Sequence, residues 1–107
     1  MTLTETWYRV IAVVKPFKLD AVLTALKGLE VRDLEVTEVR GYGRQKGHLE
    51  LYSGAEYTIT FLPKLRLEMK CPAGHVEDAV EAIEEAARTG RIGDGKIFVL
   101  EGEGATS

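Results

Sequence analysis

The order of hydrophobic patterns along the chain predicts an α+β domain built as strand, helix, strand, long loop, strand, helix, strand. Two stretches carry apolar residues at helical spacing, Leu19-Val22-Leu23-Leu26-Leu29 and Val76-Ala79-Val80-Ile83-Ala86-Ala87. The remaining apolar runs are short and rich in Val, Ile and aromatic residues, or alternate apolar with charged residues, as strands do. The halves also repeat: a strand, Pro16 and Asp20-Ala21-Val22 are answered by a strand, Pro72 and Asp78-Ala79-Val80. Two such βαβ units interleave as the ferredoxin-like fold, βαββαβ, an antiparallel sheet covered on one face by two helices.

Each element follows from its residues. Trp7 to Val14 reads as a buried strand, stopped at Lys15-Pro16 because proline disfavours continuation. The first helical stripe follows, with Gly28 weakening its last turn. Leu34 to Gly41 is the second strand, with Leu34, Val36 and Val39 as its apolar residues. Tyr57–Leu62 and Leu65–Cys71 are strand, with Pro63 marking a bulge or bend between them. In the second run Leu65, Leu67, Met69 and Cys71 alternate with Arg66, Glu68 and Lys70, giving one buried and one polar face. The second helix ends at Thr89-Gly90, a C-cap signal, and Lys96 to Leu100 is the last strand. We therefore expect one domain over 1–101 and a Gly-rich, acidic, poorly ordered tail over 102–107.

Composition limits the function. A chain of 107 residues has room for one domain and one modest core. With 14 Lys and Arg against 17 Asp and Glu, the net charge is -3. That balance argues against a general nucleic-acid or anionic-membrane binder, so any anion site must be local. Cys71 is the only cysteine, which leaves no intrachain disulfide or Cys-rich metal framework. There is no 18-residue apolar run and no secretory leader in MTLTETWYRV, so we expect a cytoplasmic protein without membrane insertion.

The stretch Arg40 to Pro63, RGYGRQKGHLELYSGAEYTITFLP, is the exception to the acidic balance. It sets Arg40, Arg44, Lys46 and His48 among glycines 41, 43 and 47, a flexible basic loop suited to holding an anion. Tyr42, Leu49, Leu51, Tyr52 and Tyr57 make the same loop apolar enough to dock on a partner. A second candidate is Gly93-Asp94-Gly95-Lys96, between a helix end and a strand. Its glycines let backbone N–H groups approach a phosphate, and its lysine supplies a point charge. It is not a Walker A motif, which needs G-x-x-x-x-G-K-[ST] leading into a helix, and taken alone it reads first as a tight turn; the preceding TGRI and the basic loop upstream turn the reading to phosphate.

These two stretches carry a resemblance. The run from Arg40 to Glu68, with GYGRQKGH, ELYSGAEY and FLPK, resembles the T-loop region of the nitrogen regulatory P-II signalling proteins. Thr89 to Val99, TGRIGDGKIFV, resembles that family's B-loop. The motif resemblance runs from about Tyr8 to Val99, with the T-loop at about 42–58 and the B-loop at about 89–96. It implies the same ferredoxin-like fold, assembled as a homotrimer with nucleotide sites in the clefts between subunits. A sheet with one face bare of helices fits this, since oligomerisation is the usual cover for exposed strand residues.

By resemblance, Gly93, Asp94, Gly95, Lys96 and Arg44 hold the phosphates of an adenine nucleotide, with Gly41 and Gly43 at the loop base and Glu35 and Lys70 near the base and ribose. Glu35 replaces a threonine common in relatives, which puts its side-chain contact in question. Gln45, Lys46 and Lys64 match residues that place magnesium and 2-oxoglutarate beside the nucleotide, with Gln45 as the metal ligand when MgATP binds. The family usually continues into a basic segment, where this chain has Glu101-Gly102-Glu103 and ends at Ser107. Fewer cations at the outer phosphates would let ADP or AMP compete with ATP, each lost charge-assisted hydrogen bond being worth about 1.5–3 kcal/mol. The expected main reading is therefore a shortened P-II-like sensor of the carboxysome-associated branch. It would read ADP or AMP with bicarbonate held by Arg44, Gln45, Lys46 and Lys64, and act on a transporter or enzyme of inorganic carbon uptake. The alternative is an ordinary nitrogen regulatory protein that senses MgATP and 2-oxoglutarate.

Tyr57 matches the tyrosine that is uridylylated in bacterial relatives, while Ala55 excludes serine phosphorylation at that place; Tyr52 is the expected loop-tip contact with a target. Two readings of other classes fare worse. Arg40-Gly41-Tyr42-Gly43 matches half of an RNA-recognition signature, but Arg44-Gln45-Lys46-Gly47 lacks the stacking aromatic. His48 and His75 are the only histidines, and no nucleophile, base and orienting group are apparent, so an enzyme is not expected.

Overall fold

The computed structural model describes residues 6–45, 58–91 and 94–102. Its strands are β1 (Trp7–Val14), β2 (Arg32–Gln45), β3 (Thr58–Pro72) and β4 (Gly95–Glu101), and its helices are α1 (Leu19–Leu26) and α2 (Val76–Ala87). Each helix is entered through one short 3-10 turn, Pro16–Lys18 or Ala73–His75, so the repeated Pro-led segments fold alike. The four strands form one sheet in the order β2-β3-β1-β4, with every neighbouring pair antiparallel. This is the ferredoxin-like βαββαβ arrangement.

The core lies between the helices and one face of the sheet. Val10, Ala12 and Val14 of β1 and Leu67, Met69 and Cys71 of β3 meet Val22 and Leu26 of α1 and Ala79, Ile83 and Ala87 of α2. All are buried, and the period of two on the strands and of three to four on the helices explains why these residues meet. On the opposite face Phe98 and Leu100 of β4 remain 49% and 43% exposed, beside the buried Ile11 of β1. Charge is patterned there too, with Glu68 bridging Arg9 at 3.4 Å and Arg66 at 3.0 Å.

Three boundaries differ from the sequence reading. The first helix ends at Leu26, before Gly28, whose φ of +88° is not helical. β2 runs from Arg32 to Gln45, longer than Leu34 to Gly41 at both ends, because its pairing with β3 continues through Gly43↔Thr60 to Gln45↔Thr58. Inter-strand hydrogen bonds are made by the main chain, so the glycines do not end the strand. β3 is one strand through Pro63, which sits in register with Arg40, and the β2–β3 irregularity falls instead between Arg32 and Glu35. The physical reason is the length of β1. Its last pair with β3 is Val14↔Leu65, so among the described residues no strand lies on the β1 side of Pro63 and its missing N–H costs no bond there.

Candidate functional site

The site is built where β1 ends and β4 begins, beside the middle of β3. Val14 pairs with Leu65 on one side and with Gly95 on the other. One residue further, Lys64, Lys15 and Asp94 stand in a row across β3, the end of β1 and the start of β4.

Asp94 organises the turn between α2 and β4. The main-chain N–H groups of Thr89 and Gly90 donate to its Oδ2 at 2.8 and 3.0 Å. The Thr89 hydroxyl donates to Oδ1, and Lys15 Nζ reaches the same oxygen at 3.2 Å and Thr89 Oγ1 at 3.4 Å. The N–H of Arg91 in turn donates to Thr89 Oγ1 at 3.2 Å. The bonds from the Thr89 hydroxyl and main chain, with Lys15 and Gly90 adding to them, hold the Asp94 carboxyl far below the usual carboxylate range against the opposing effect of burial. The carboxylate is thus charged at any physiological pH, and its work is to close the loop. Gly95 follows with φ +147°, and a methyl group there would run into the carbonyl oxygen of Val13.

Cations collect around this turn. Lys96 is exposed on β4, and Arg88 and Arg91 are exposed after α2. Lys64 is half-buried, and burial and the neighbouring Lys15 lower its pKa while Asp94 opposes the shift. Two clefts adjoin the row. One, of about 330 Å³, lies between α2 and β4, with Val14, Ile83 and Ile97 inside and Arg88, Asp94 and Lys96 at its rim. The other, of about 360 Å³, lies at the base of the β2–β3 hairpin and is lined by Pro16, Glu38, Arg40, Pro63, Lys64 and Leu65.

The structure brings some of the sequence-predicted residues together and separates others. Asp94, Gly95 and Lys96 share one turn, with Lys64 across the sheet. Gly41, Gly43, Arg44 and Gln45 lie on the outer part of β2, paired with Leu62, Thr60, Ile59 and Thr58. Glu35 and Lys70 stand elsewhere: Glu35 is opposite Glu68, and Lys70, 3.6 Å from Asp33, is opposite Arg9. Arg9 is five register positions from Val14, so Lys70 is roughly 17 Å along the sheet from the Asp94 turn. Lys46, Tyr52, Tyr57 and Gly93 lie outside the described residues, as does the tail beyond Gly102. Gly102 itself, placed in the tail by sequence, donates its N–H to Trp7 O at 2.8 Å. Lys15 and Thr89 were missed as site residues. Lys15 read only as the end of a strand, and its partner Asp94 is 79 residues away.

The profile of the nitrogen regulatory protein P-II family matches residues 7–105, carrying the likeness past Val99 where the motifs stop. Over 90 residues the chain is 58% identical to the nitrogen regulatory protein P-II of Rhizobium etli, covering 84% of this chain and 80% of that protein. It is 55% identical over 94 residues to the corresponding protein of Haemophilus influenzae, covering 88% and 84%. Among solved structures, B. subtilis GlnK in complex with ATP superposes with a TM-score of 0.74 at 31% identity, covering 90% of this chain and 84% of that one. Arabidopsis thaliana P-II bound to citrate gives a TM-score of 0.68 at 34% identity, covering 90% and 74%. The relatives carry a regulatory and not a catalytic description, and the chain belongs to the nitrogen regulatory protein P-II family.

Proposed function

We propose that the protein is a nitrogen regulatory signal transducer that binds an adenine nucleotide at the Asp94–Lys96 turn and a 2-oxoglutarate-class carboxylate at the base of the β2–β3 hairpin. The observation that carries this is the turn itself. Asp94 spends its charge on Thr89, Gly90 and Lys15, which holds the two ends of the turn together with Gly95 and Lys96 at its exit. Residues already bonded to one another before the ligand arrives lose little entropy on binding, and an exposed lysine suits phosphate. Lys64, in the hairpin-base cleft, supplies a cation for a carboxylate. A solved relative in complex with ATP and another bound to citrate, a carboxylate, support both ligand classes.

The relatives favour this nitrogen reading over the inorganic-carbon reading drawn from the acidic C-terminal residues, because those compared are nitrogen regulatory proteins. In this proposal Gly41, Gly43, Arg44, Gln45, Lys46 and Gly93 complete the ligand shell, Gln45 offers an amide oxygen to magnesium, Tyr52 meets the target and Tyr57 is the modification site. Glu35 and Lys70, far from Asp94 within one chain, join the site only from a neighbouring copy. That placement and the exposed Phe98 and Leu100 support a homotrimer with the sites in its clefts. Ligand contact at the hairpin base then biases the conformation of the loop beyond it, and target affinity changes by the difference in binding energy between the loop states. The protein would act in the cytoplasm; among the described residues no helix is long and apolar enough to cross a membrane.

Calorimetric titration with ATP, ADP and AMP, each alone and then with 2-oxoglutarate or bicarbonate, tests the proposal. ATP binding strengthened by 2-oxoglutarate and magnesium is the expected result. Preference for ADP or AMP strengthened by bicarbonate would replace it with the carbon-linked reading, and binding of no nucleotide would overturn both.

A further inference from the structure

We infer that Asp33 and Lys70 form a base-reading couple: the Asp33 carboxylate accepts from the exocyclic amino group of adenine and the Lys70 ammonium donates to the adjacent ring nitrogen, so the couple selects amino-purines over oxo-purines. The inference rests on the nucleotide reading above, in which Lys70 joins the site from a neighbouring copy. It adds Asp33, a residue so far without a role.

Its first basis is backbone strain. Asp33 has φ +54° and is the one non-glycine residue of positive φ among the described residues. It sits in the β2–β3 irregularity, where Asp33 and Leu34 of β2 face Met69 alone, between the pairs Arg32↔Lys70 and Glu35↔Glu68. A left-handed residue in a bulge is ordinarily glycine, because a side chain there crowds the backbone. A side chain kept in that conformation points to a use for it.

The second basis is what that side chain meets. Leu100, Arg9, Lys70 and Arg32 stand in one row across β4, β1, β3 and β2. Each cation of the row has its own carboxylate. Arg9 has Glu68 at 3.4 Å, and Arg32 has Glu30 at 3.5 Å while its guanidinium lies 4.6 Å from the centre of the Trp7 ring. Lys70 has Asp33 at 3.6 Å, with the Asp33 side chain 66% exposed. An exposed pair at that distance, longer than a charge-assisted hydrogen bond, adds little to stability and leaves both groups able to bond a third partner. The row ends at Leu100, on the face assigned to a neighbouring copy, two strand spacings or roughly 10 Å from Lys70. A copy covering that face reaches the couple as well.

The chemistry then selects the ligand group. A carboxylate only accepts and an ammonium only donates. Adenine presents the complement side by side, the N6 amino donor and the N1 acceptor, whereas hypoxanthine presents O6 and N1–H in the reverse order. Phosphates anchored at the Asp94 turn hold the base in one orientation. Ribose hydroxyls both donate and accept, so a couple of fixed polarity distinguishes bases and not sugars.

The test is calorimetric titration of the full chain with ATP, 2′-deoxy-ATP and inosine triphosphate, in the unaltered protein, Asp33→Gly and Asp33→Asn. Glycine takes φ +54° without strain and asparagine tolerates it, so both variants should unfold thermally no earlier than the parent. In Asp33→Gly, affinity for ATP and for 2′-deoxy-ATP falls about tenfold, the scale of one charge-assisted hydrogen bond, while that for inosine triphosphate stays within about twofold. Asp33→Asn, which keeps an acceptor oxygen, loses less. An equal loss for ATP and inosine triphosphate, or a loss for ATP that 2′-deoxy-ATP does not share, would overturn the inference. ATP binding that Asp33→Gly leaves intact overturns it alone, whereas an unaltered protein that binds none of the three overturns the nucleotide reading and the inference with it.

Discussion

The main-chain N–H of Thr89 donates to Asp94 Oδ2 at 2.8 Å, so the residue leaving α2 and the residue entering β4 are joined through one carboxylate. Four residues lie between them in sequence, and the bond ties the two ends of that segment together.

Replacing that carboxylate should loosen the loop before it unfolds the domain. In Asp94→Asn, the Thr89 and Gly90 amides should exchange with solvent at least tenfold faster, with core amides such as Leu67 little changed, as read by hydrogen exchange. The acid limb follows from the sign of the shift. A carboxyl held below its unfolded value of about 4 contributes in full above that pH and loses its contribution as pH falls toward the folded value. Acid unfolding of Asp94→Asn should therefore be less steep below about pH 4.

Gly95 allows β4 to start against β1. Gly95→Ala should lower thermal stability and weaken nucleotide binding together, because the added methyl meets the Val13 carbonyl and the backbone holds a φ suited to glycine. Differential scanning fluorimetry with and without ATP reads both effects. The same substitution at Gly74, where a methyl has open space and φ is ordinary, should leave binding unchanged.

The open sheet face should be an interface. Phe98→Glu and Leu100→Glu are expected to reduce the species seen by light scattering from three chains toward one, since a charge replaces apolar area at the contact. Unaltered mass in both variants would place the contact elsewhere.

Core truncation gives the stability scale. Ile83 is fully buried between helix and sheet, so Ile83→Ala should cost about 2–5 kcal/mol in denaturant unfolding. Val36→Ala, at 43% exposure on the outer strand β2, should cost less than about 1 kcal/mol.

The sequence made β1 legible to the residue, because a β-branched run and the Lys15-Pro16 stop agree on its limits. The second helical stripe was equally plain, with Ala79, Ile83 and Ala87 buried at its expected period. The outer half of β2 was not. Gly41 and Gly43 have loop propensity, and only the partner strand shows that the run through them is extended. Pro63 misled for the same reason, since its cost depends on where β1 stops. At the candidate site, Asp94, Gly95 and Lys96 were visible as a motif. The roles of Thr89 and Lys15 were not, because they arise from contacts made only when β1, α2 and β4 come together.

The unequal length of the strands has a mechanical consequence. Seven pairs of the β2–β3 hairpin, from Val39↔Lys64 to Gln45↔Thr58, extend past the last residue of β1 that could brace them. An arm of seven rungs is roughly 24 Å long, so a rotation of about 10° at its root displaces its far end by roughly 4 Å. A sub-ångström adjustment around Lys64, at the pivot, would thereby be geared up into a much larger displacement at the Gln45↔Thr58 pair. A short hairpin pivoting at the same root would have no comparable travel.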